Sequence, residues 1–382
     1  MPRGPLHIGL NLIFLVPGET GGMEVAAREL IPELVAQGSP ELRFTAFVNR
    51  EAGADRAGPW GELLDAVTVP VNARDRKQWV LGEQTLLPPL AARARVDLMH
   101  SLASTAPLWG PFRRVVTIHD LIYARFPDAH AGIRDKGMRV LVPAAARRSH
   151  RVICDSQSTR RDLLELVGLD PARIDVVPLG LGSTRRAEPL PAERTRERFE
   201  LGQRRVLLSL SAKRPHKNLT ALIGALGRIP AERRPVLVIP GYPTWHEREL
   251  RELAVQRGLE QDIRMPAWID GAELEGLWAL ADAFVFPSLY EGFGLPVLEA
   301  MARGVPVACS NASSLPEVAG KAALLFDPRE EASIAAAIER ILTDPALAAR
   351  LREQGHRRSE QFTWRRTAEL TLASYRRALP GA

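Results

Sequence analysis

Short apolar segments alternate with amphipathic segments along almost the whole chain of 382 residues. In residues 23–37, apolar side chains recur with the 3.6-residue period of a helix, and apolar runs at 7–16 and 44–48 flank that segment. Because parallel strands need a long crossover connection, which is usually a helix, this alternation predicts an α/β fold with parallel sheets.

One segment interrupts the alternation. Residues 183–200 are rich in charge and contain two prolines, and the strand and helix pattern restarts after them. A chain of this length is expected to form about two domains. We therefore predict two doubly wound Rossmann-like domains, 1–182 and 183–362, facing each other across a cleft, followed by a terminal helix within 363–382. Open parallel sheets bind ligands at the carboxyl ends of their strands, so we expect the chemistry in the loops that follow strands.

Composition narrows the possible partners. The net charge is +6, and only five of the 51 basic residues are lysines. This balance permits anionic partners, but no run of five basic residues occurs and aromatic residues are only 6%, which favours scattered surface charge over nucleic-acid binding. Two cysteines form neither a disulfide framework nor a zinc site and fit a reducing, cytoplasmic compartment. No stretch of 18 apolar residues occurs, and the apolar N-terminal run lacks a cleavage site, so we interpret it as a buried first strand.

The densest motif spans residues 284–302. An apolar strand leads into a glycine-containing loop, and a helix then begins near a proline. A helix start presents unpaired backbone N–H groups, so Gly294 and Leu295 are expected to bind phosphate. Carboxylates repel phosphate, and we therefore expect Glu291 and Glu299 to accept hydrogen bonds from the hydroxyls of a sugar and a ribose.

A basic loop follows the first strand of the second domain. Lys213, Arg214 and Lys217 fall between that strand and the next helix, where they could neutralise a diphosphate. Asn218 is expected to cap the helix. A solvated basic loop without a ligand remains the alternative.

Four further segments carry weaker signals. Gly22 lies in a glycine-containing turn that matches neither the dinucleotide fingerprint nor the P-loop. His119 ends a strand, where it either contacts a sugar or serves as a core or cap histidine. The backbone of Ile269 either contacts a nucleobase or belongs to the core, and Ser314 with Glu317 predicts a capping box. The histidines show no metal-ligand spacing, and we predict no metal site.

These motifs, in this order, resemble the retaining glycosyltransferases of family 4, which have the GT-B architecture, and most closely the mannosyltransferase-like branch. The resemblance covers about residues 8–378. Its most specific part is the pair of glutamates separated by seven residues. The matching segments are Gly21-Gly22 and residues 117–121, 217–219, 286–300 and 314–320.

The resemblance implies a role for each matching residue. Glu291 and His119 would contact the donor sugar as the catalytic residues, Glu299 would bind the ribose and Lys217 the diphosphate. Many relatives also carry a Gly-Arg pair early in the basic loop. Ser211 stands near that position here, which leaves open whether Lys213 or Arg214 replaces the missing arginine.

The expected activity is the transfer of a hexose, with mannose favoured, from a GDP- or UDP-sugar to a saccharide or lipid-linked acceptor, with no metal ion required. The final helix is expected to cross back to the first domain. Two alternatives stay open: an epimerase or hydrolase of the same fold that acts on a nucleotide sugar, and a non-catalytic two-domain sugar-binding protein. The arginine doublets either bring the chain into peripheral contact with an anionic membrane, at the inner face of the plasma membrane, or are ordinary surface residues. No nucleic-acid partner is expected.

Overall fold

A computed structural model describes residues 5–55, 58–126, 133–182 and 187–379. The chain divides into two compact units, Met1–Gly182 with Phe362–Ala382, and Ser183–Gln361. The boundary predicted at residue 183 falls within 183–186, outside the described residues. Each unit contains one parallel sheet with helices on it, as the alternating pattern predicts.

The first unit is built on a seven-stranded parallel sheet with the order β3-β2-β1-β4-β5-β6-β7. The order reverses between β1 and β4, as in a doubly wound fold. Its strands are β1 (Leu6–Leu12), β2 (Leu42–Val48), β3 (Asp65–Thr68), β4 (Leu98–Ser101), β5 (Arg113–Ile118), β6 (Arg151–Cys154) and β7 (Ile174–Val176). Its helices up to residue 182 are α1 (Gly22–Gly38), α2 (Arg50–Ala54), α3 (Pro59–Glu62), α4 (Arg76–Thr85), α5 (Leu87–Arg93), α6 (Ile122–Arg125), α7 (Ile133–Arg148) and α8 (Gln157–Asp162).

Strand β1 is shorter than the apolar run that predicts it. The sequence favours a strand over 7–16, whereas β1 ends at Leu12. The carbonyl groups of Ile13 and Leu15 accept hydrogen bonds from the side-chain amide of Asn49, at 3.0 and 2.7 Å, instead of joining a neighbouring strand. The run stays buried to Val16, so its apolar character reports burial rather than strand length.

The second unit is built on a six-stranded parallel sheet with the order β10-β9-β8-β11-β12-β13, which reverses between β8 and β11. Its strands are β8 (Val206–Leu208), β9 (Val236–Val238), β10 (Ile263–Arg264), β11 (Ala281–Phe286), β12 (Val307–Ser310) and β13 (Ala323–Phe326). Its helices are α9 (Ala192–Arg198), α10 (Leu219–Arg228), α11 (Glu247–Gln256), α12 (Gly271–Leu280), α13 (Leu295–Ala302), α14 (Leu315–Ala319), α15 (Glu331–Thr343) and α16 (Pro345–Ser359).

The last helix, α17 (Trp364–Ala378), belongs to the first unit and packs against α1. Trp364, Ala368, Leu372 and Tyr375 are buried at the spacing of one helical face and join the core around β1. The hydroxyl of Tyr375 lies 2.7 Å from Nδ1 of His100, so the helix is also fixed by a buried polar contact.

Candidate active site

Lys217 and Glu291 meet at the carboxyl end of the second sheet. They lie on the loops that follow β8 and β11, the two strands at which the strand order reverses. The Nζ atom of Lys217 is 2.6 Å from Oε1 of Glu291, and the side chains are 17% and 11% exposed. The ammonium group also lies 5.4 Å from the ring centroid of Phe286. Ligands of open parallel sheets bind at such a reversal point, so the predicted cation and carboxylate lie where the fold places a ligand.

Helix α13 begins beside this pair. Its N-cap is Gly294, with φ at 115°, and no side chain caps the helix. A Cβ atom on Gly294 would lie 2.7 Å from Cδ2 of Leu315, so both the backbone conformation and the packing require glycine. The N-cap glycine has no side chain to occupy the positive end of the helix dipole, and the phosphate contact expected at Gly294 and Leu295 stays a prediction.

Glu299 lies in the next turn of α13 and is half-buried. Burial raises the pKa of its carboxyl group, Arg303 lowers it and Glu275 raises it, with a net increase above the ordinary value. Arg303 is itself held by Glu275, at 2.5 Å. A carboxyl group with a raised pKa still pairs well with a neutral hydroxyl donor, so the predicted ribose contact is compatible with this environment.

The hydroxyl of Ser314 supports the Glu291 loop, which the sequence does not predict. It donates hydrogen bonds to the carbonyl oxygens of Glu291 and Phe293, at 3.0 and 2.6 Å, and Ser313 Oγ accepts one from the Glu291 N–H at 2.8 Å. The capping-box prediction for Ser314 is wrong, because its oxygen accepts no bond from the backbone of α14 although it occupies the N-cap position.

The side chain of Asn218 likewise bonds to distant loops and does not cap the helix that follows it. It occupies the N-cap position of α10 with φ at 57°, but its side chain caps nothing. Its amide donates instead to the carbonyl oxygens of Pro287 and Pro328, at 3.1 and 2.7 Å. The expected side-chain cap is wrong, and the amide joins the Lys217 turn to the segments that follow β11 and β13.

The three basic residues of the loop after β8 do not act as one cluster. Lys213 is fully buried, and its ammonium group donates to the carbonyl oxygens of Gly241 and Pro266, at 2.8 and 3.2 Å. It therefore contacts the protein rather than a ligand. Arg214 is half-buried and Lys217 pairs with Glu291, so these two remain the predicted diphosphate contacts.

In the first unit, His119 follows β5 and bonds to the protein through both ring nitrogens. Nδ1 lies 2.7 Å from Oδ2 of Asp155, and Nε2 lies 3.0 Å from the carbonyl oxygen of Leu102. Because both partners are acceptors, both nitrogens carry hydrogen and the ring is an imidazolium. Burial alone would lower the pKa of His119, but the charge and hydrogen bond of Asp155 and the Leu102 carbonyl raise it to about 9.

The sequence reasoning missed Asp155. Its carboxyl group is buried, and burial raises its pKa although the imidazolium lowers it. One sequence feature could have indicated Asp155: it is an acidic residue directly after the apolar strand β6. Strand β6 pairs with β5, the strand that His119 follows. Two carboxyl ends of neighbouring parallel strands lie side by side, which brings the two residues together.

A second buried histidine lies close by in the same unit. His100, in β4, contacts the Tyr375 hydroxyl through Nδ1 at 2.7 Å and Thr117 Oγ1 through Nε2 at 2.8 Å. Burial, together with the charge of His119, lowers its pKa to about 3. His100 is therefore neutral, whereas His119 is charged.

Gly22 and Ile269 take the positions that their segments predict. Gly22 is the first residue of α1, its added Cβ would meet nothing within 4 Å, and no side chain caps the helix. Ile269 is half-buried on the loop between β10 and α12. Its partial exposure is compatible both with a backbone contact to a nucleobase and with packing in the core.

No three His, Cys, Asp or Glu side chains among the described residues are grouped to hold a metal ion. Within the same residues, no helix combines the length and apolar character needed to cross a bilayer.

Comparison with known proteins identifies the family. Residues 192–358 match the family described as glycosyl transferases group 1, and residues 20–185 match the one described as glycosyltransferase family 4. The O-antigen chain mannosyltransferase B of Escherichia coli is 32% identical over 271 residues, which are 69% of this chain and 70% of that protein. The D-inositol 3-phosphate glycosyltransferase of Kineococcus radiotolerans is 33% identical over 95% of this chain and 92% of its own length.

Solved structures share the fold. Sucrose-phosphate synthase from Thermosynechococcus elongatus superposes with a TM-score of 0.78 at 21% identity, over 97% of this chain and 98% of that one. The Anabaena protein HepE, solved with UDP and glucose, superposes with a TM-score of 0.73 at 18% identity, over 98% of this chain and all of that one (100%). Both comparisons agree with two parallel-sheet units of the GT-B type. This chain is therefore a glycosyltransferase of family 4 with the GT-B fold, related to bacterial mannosyltransferases.

Proposed function

We propose that this glycosyltransferase moves a hexose, with mannose favoured, from a nucleoside diphosphate sugar to a saccharide or lipid-linked acceptor. The anomeric configuration of the donor is retained, and no metal ion takes part. The observation that carries the proposal is the contact between Lys217 and Glu291 at 2.6 Å, beside the open start of α13. A cation, a hydrogen-bond acceptor and a helix dipole at one reversal point suit a sugar joined to a diphosphate.

The cationic groups assist departure of the leaving group. As the bond from the anomeric carbon to the diphosphate breaks, negative charge grows on the phosphate oxygens. Lys217, Arg214 and the backbone N–H groups at the start of α13 stabilise that charge, as donors and cations near the developing charge do in general. A fixed arrangement of this kind performs the task for which other enzymes use a metal ion.

Glu291 holds the donor sugar. Its carboxylate accepts hydrogen bonds from sugar hydroxyls while Lys217, at 2.6 Å, holds it in place. Glu299, one helical turn along α13, accepts from the ribose hydroxyls. His119 is the catalytic residue that we assign to the first unit. Asp155 holds its Nδ1 at 2.7 Å, and contact with the donor sugar requires Nε2 to give up its bond to the carbonyl oxygen of Leu102 at 3.0 Å.

The relatives support the choice of substrates. Among them are an O-antigen chain mannosyltransferase and a D-inositol 3-phosphate glycosyltransferase. The name of the first supports mannose as the sugar that this chain transfers. The HepE structure contains UDP and glucose, the two parts of a nucleotide sugar donor. A cytoplasmic location and contact with an anionic membrane remain predictions, and co-sedimentation with anionic and neutral liposomes tests the second.

A thermal-shift panel of GDP, UDP, ADP and their hexose conjugates tests the donor. Ligands that bind the native state raise Tm by mass action, so the panel ranks the bases directly. We expect one nucleoside diphosphate family to raise Tm without added metal and to do so equally in EDTA. A panel in which no nucleotide raises Tm, or only with a divalent metal, would contradict the proposal.

Product analysis separates transfer from the alternative reactions. With the selected donor and a saccharide acceptor, transfer yields a product heavier than the acceptor by one hexose residue. An epimerase yields an isomeric nucleotide sugar, and a hydrolase yields free hexose whether or not the acceptor is present. Mass spectrometry combined with chromatography of the nucleotide sugars distinguishes the three outcomes.

A further inference from the structure

A buried carboxyl group lies where the strand order of the first sheet reverses. Glu83, in α4, is 1% exposed, and its Oε1 atom accepts hydrogen bonds from Asn11 Nδ2 at 2.8 Å and from Thr105 Oγ1 at 3.1 Å. Asn11 also donates to Ser101 Oγ at 3.0 Å, and these two residues are paired across β1 and β4. The carboxyl group therefore joins the ends of both strands to the loop that follows β4, residues 102–109, which we call the β4 loop.

The next residue of α4, Gln84, bonds to the same loop. Its side-chain amide donates to the carbonyl oxygen of Ala106 at 3.0 Å and accepts from the N–H of Leu108 at 3.0 Å. The ring nitrogen of Trp109 donates to the main-chain carbonyl oxygen of Gln84 at 2.6 Å. Together with the contact between Glu83 and Thr105, these bonds attach the β4 loop to the end of α4 along most of its length.

The β4 loop begins with Leu102, whose carbonyl oxygen lies 3.0 Å from Nε2 of His119. Leu102 directly follows Ser101, which Asn11 holds, and lies three residues before Thr105, which Glu83 holds. In this position the carbonyl oxygen competes with any ligand for Nε2. The position of the β4 loop therefore decides whether that ring nitrogen is occupied by the protein or available to a sugar.

We propose that Glu83 is a positioning residue that latches the β4 loop, and that the latch keeps the Leu102 carbonyl on His119 until the donor sugar displaces it. The inference rests on the proposed function, because it concerns the access of the donor sugar to His119. It deepens that function by naming the group in the first unit that controls this access.

The chemistry of the carboxyl group explains how the latch opens. An ionised Glu83 only accepts, and it receives bonds from Asn11, Thr105 and, at 3.4 Å, the side-chain amide of Gln84. A protonated carboxyl group must donate from one oxygen, and that oxygen then faces a group that is itself a donor. At least one of the bonds is lost or reversed, and the rest are weaker because the charge is gone.

The surroundings of Glu83 place this change near neutral pH. Burial raises the pKa of its carboxyl group to about 7, although the bonds from Asn11, Thr105 and Gln84 lower it. All three partners are neutral, and no charged side chain in the described part of the chain contributes to the shift. The latch is therefore closed above about pH 7 and weakened below it.

Proton NMR of the histidine rings in the ligand-free full chain tests the latch without a donor. At about pH 8 the Nε2–H of His119 should exchange slowly with solvent in the native chain, because it is bonded to a carbonyl oxygen. Glu83→Gln, which resembles the protonated carboxyl group, should exchange about ten-fold faster at this pH. At about pH 6 the difference should largely disappear, because the native carboxyl group is then protonated as well.

Steady-state kinetics with the selected nucleotide sugar give the second readout. Because the Leu102 carbonyl competes with the sugar for Nε2, a weakened latch should lower the KM of the donor. For Glu83→Gln we expect a KM about three- to ten-fold below that of the native chain at about pH 8, with kcat within about two-fold and no difference at about pH 6. A merely structural role of Glu83 would raise KM or lower kcat at both pH values alike.

Thr105→Val is the second variant, and it keeps the test decisive if Glu83→Gln proves unstable. It removes the hydroxyl that Glu83 holds, while the carboxyl group and the shape of residue 105 stay nearly unchanged. It should reproduce both effects of Glu83→Gln at about pH 8. Glu62→Gln, at an exposed glutamate of the same unit, is the matched control and should change neither readout.

Each outcome has a distinct meaning. If the native chain and Thr105→Val show the same exchange rate at about pH 8, the inference is wrong and the proposed function stands. If exchange is faster in the variant but the KM of the donor is unchanged or raised, the β4 loop does not control access to His119, and the inference is again wrong. If the native chain transfers no hexose from any nucleotide sugar, the proposed function fails and the inference fails with it.

Discussion

The ammonium group of Lys217 lies 2.6 Å from the carboxylate of Glu291, although the two residues are 74 positions apart in the chain. Each side chain neutralises the other in a site that is only slightly exposed. A ligand that enters this site meets a cation already held by a carboxylate. Removal of the Lys217 ammonium should therefore weaken the binding of anions, whereas removal of the Glu291 charge should leave it equal or strengthen it.

Lys217→Ala is expected to weaken the binding of the free nucleoside diphosphate by roughly 100-fold. The variant loses a cation that contacts the phosphates and leaves Glu291 as an uncompensated carboxylate beside them. Calorimetric titration measures the change. The double variant Lys217→Ala, Glu291→Gln should recover part of the affinity, and an unchanged Kd in the single variant would refute the phosphate role of Lys217.

Glu291→Gln is expected to lower kcat by at least 100-fold while the Kd of the nucleoside diphosphate stays equal or falls. The amide is similar in shape, but it lacks the charge that stabilises the donor sugar as positive charge develops at its anomeric carbon. Steady-state kinetics and titration of the same preparation separate the two effects. Near-normal turnover would remove Glu291 from the catalytic assignment.

Asp155→Asn is expected to lower the pKa of His119 from about 9 toward its ordinary value of 6.5. NMR titration of the histidine ring follows this change directly. Because the folded-state pKa is raised, the pair contributes stability that is complete below pH 6.5 and disappears as the pH rises through about 9. The native chain should thus exceed the variant in free energy of unfolding by up to about 3 kcal/mol at low pH within this window.

The control for this experiment removes the titrating group. In a His119→Gln background, Asp155→Asn should produce no stability difference that varies between pH 6.5 and 9. If the native chain and Asp155→Asn show parallel pH profiles, Asp155 does not set the charge of His119.

Tyr375→Phe is expected to destabilise the first unit by about 1–3 kcal/mol, because it leaves Nδ1 of His100 buried without its partner at 2.7 Å. Thermal or urea unfolding measures the loss. Tyr242→Phe, at a tyrosine that is 65% exposed, is the matched control and should change stability little. Equal stabilities of Tyr375→Phe and the native chain would mean that the contact between Tyr375 and His100 does not stabilise the first unit.

Much of the fold is predictable from the sequence because strands and helices each have a characteristic period. The apolar runs locate the strands, and the order of motifs indicates the family. Strand order is a different matter, because it depends on which strands pair. Lys217 and Glu291 are each predictable as site residues, but their contact follows from the pairing of β8 with β11, which no local pattern specifies.

The errors in the sequence analysis concern side chains with more than one available partner. A serine before Leu-Pro-Glu favours a capping box, yet Ser314 bonds to carbonyls of a loop that is distant in sequence. Lys213 and Lys217 are equally basic in the sequence. Only the packing of three loops shows that Lys213 is buried while Lys217 remains at the site. Local propensity does not include these long-range competitors.

Transfer itself is tested most directly by proton NMR of the reaction between the native chain, the nucleotide sugar selected by thermal shift and a saccharide acceptor. We predict a new glycosidic anomeric signal with the anomeric configuration of the donor, formed at the rate at which nucleoside diphosphate appears and absent with Glu291→Ala. Free or epimerised hexose without a glycosidic product would contradict glycosyl transfer by this chain, and a product of inverted configuration would contradict retention.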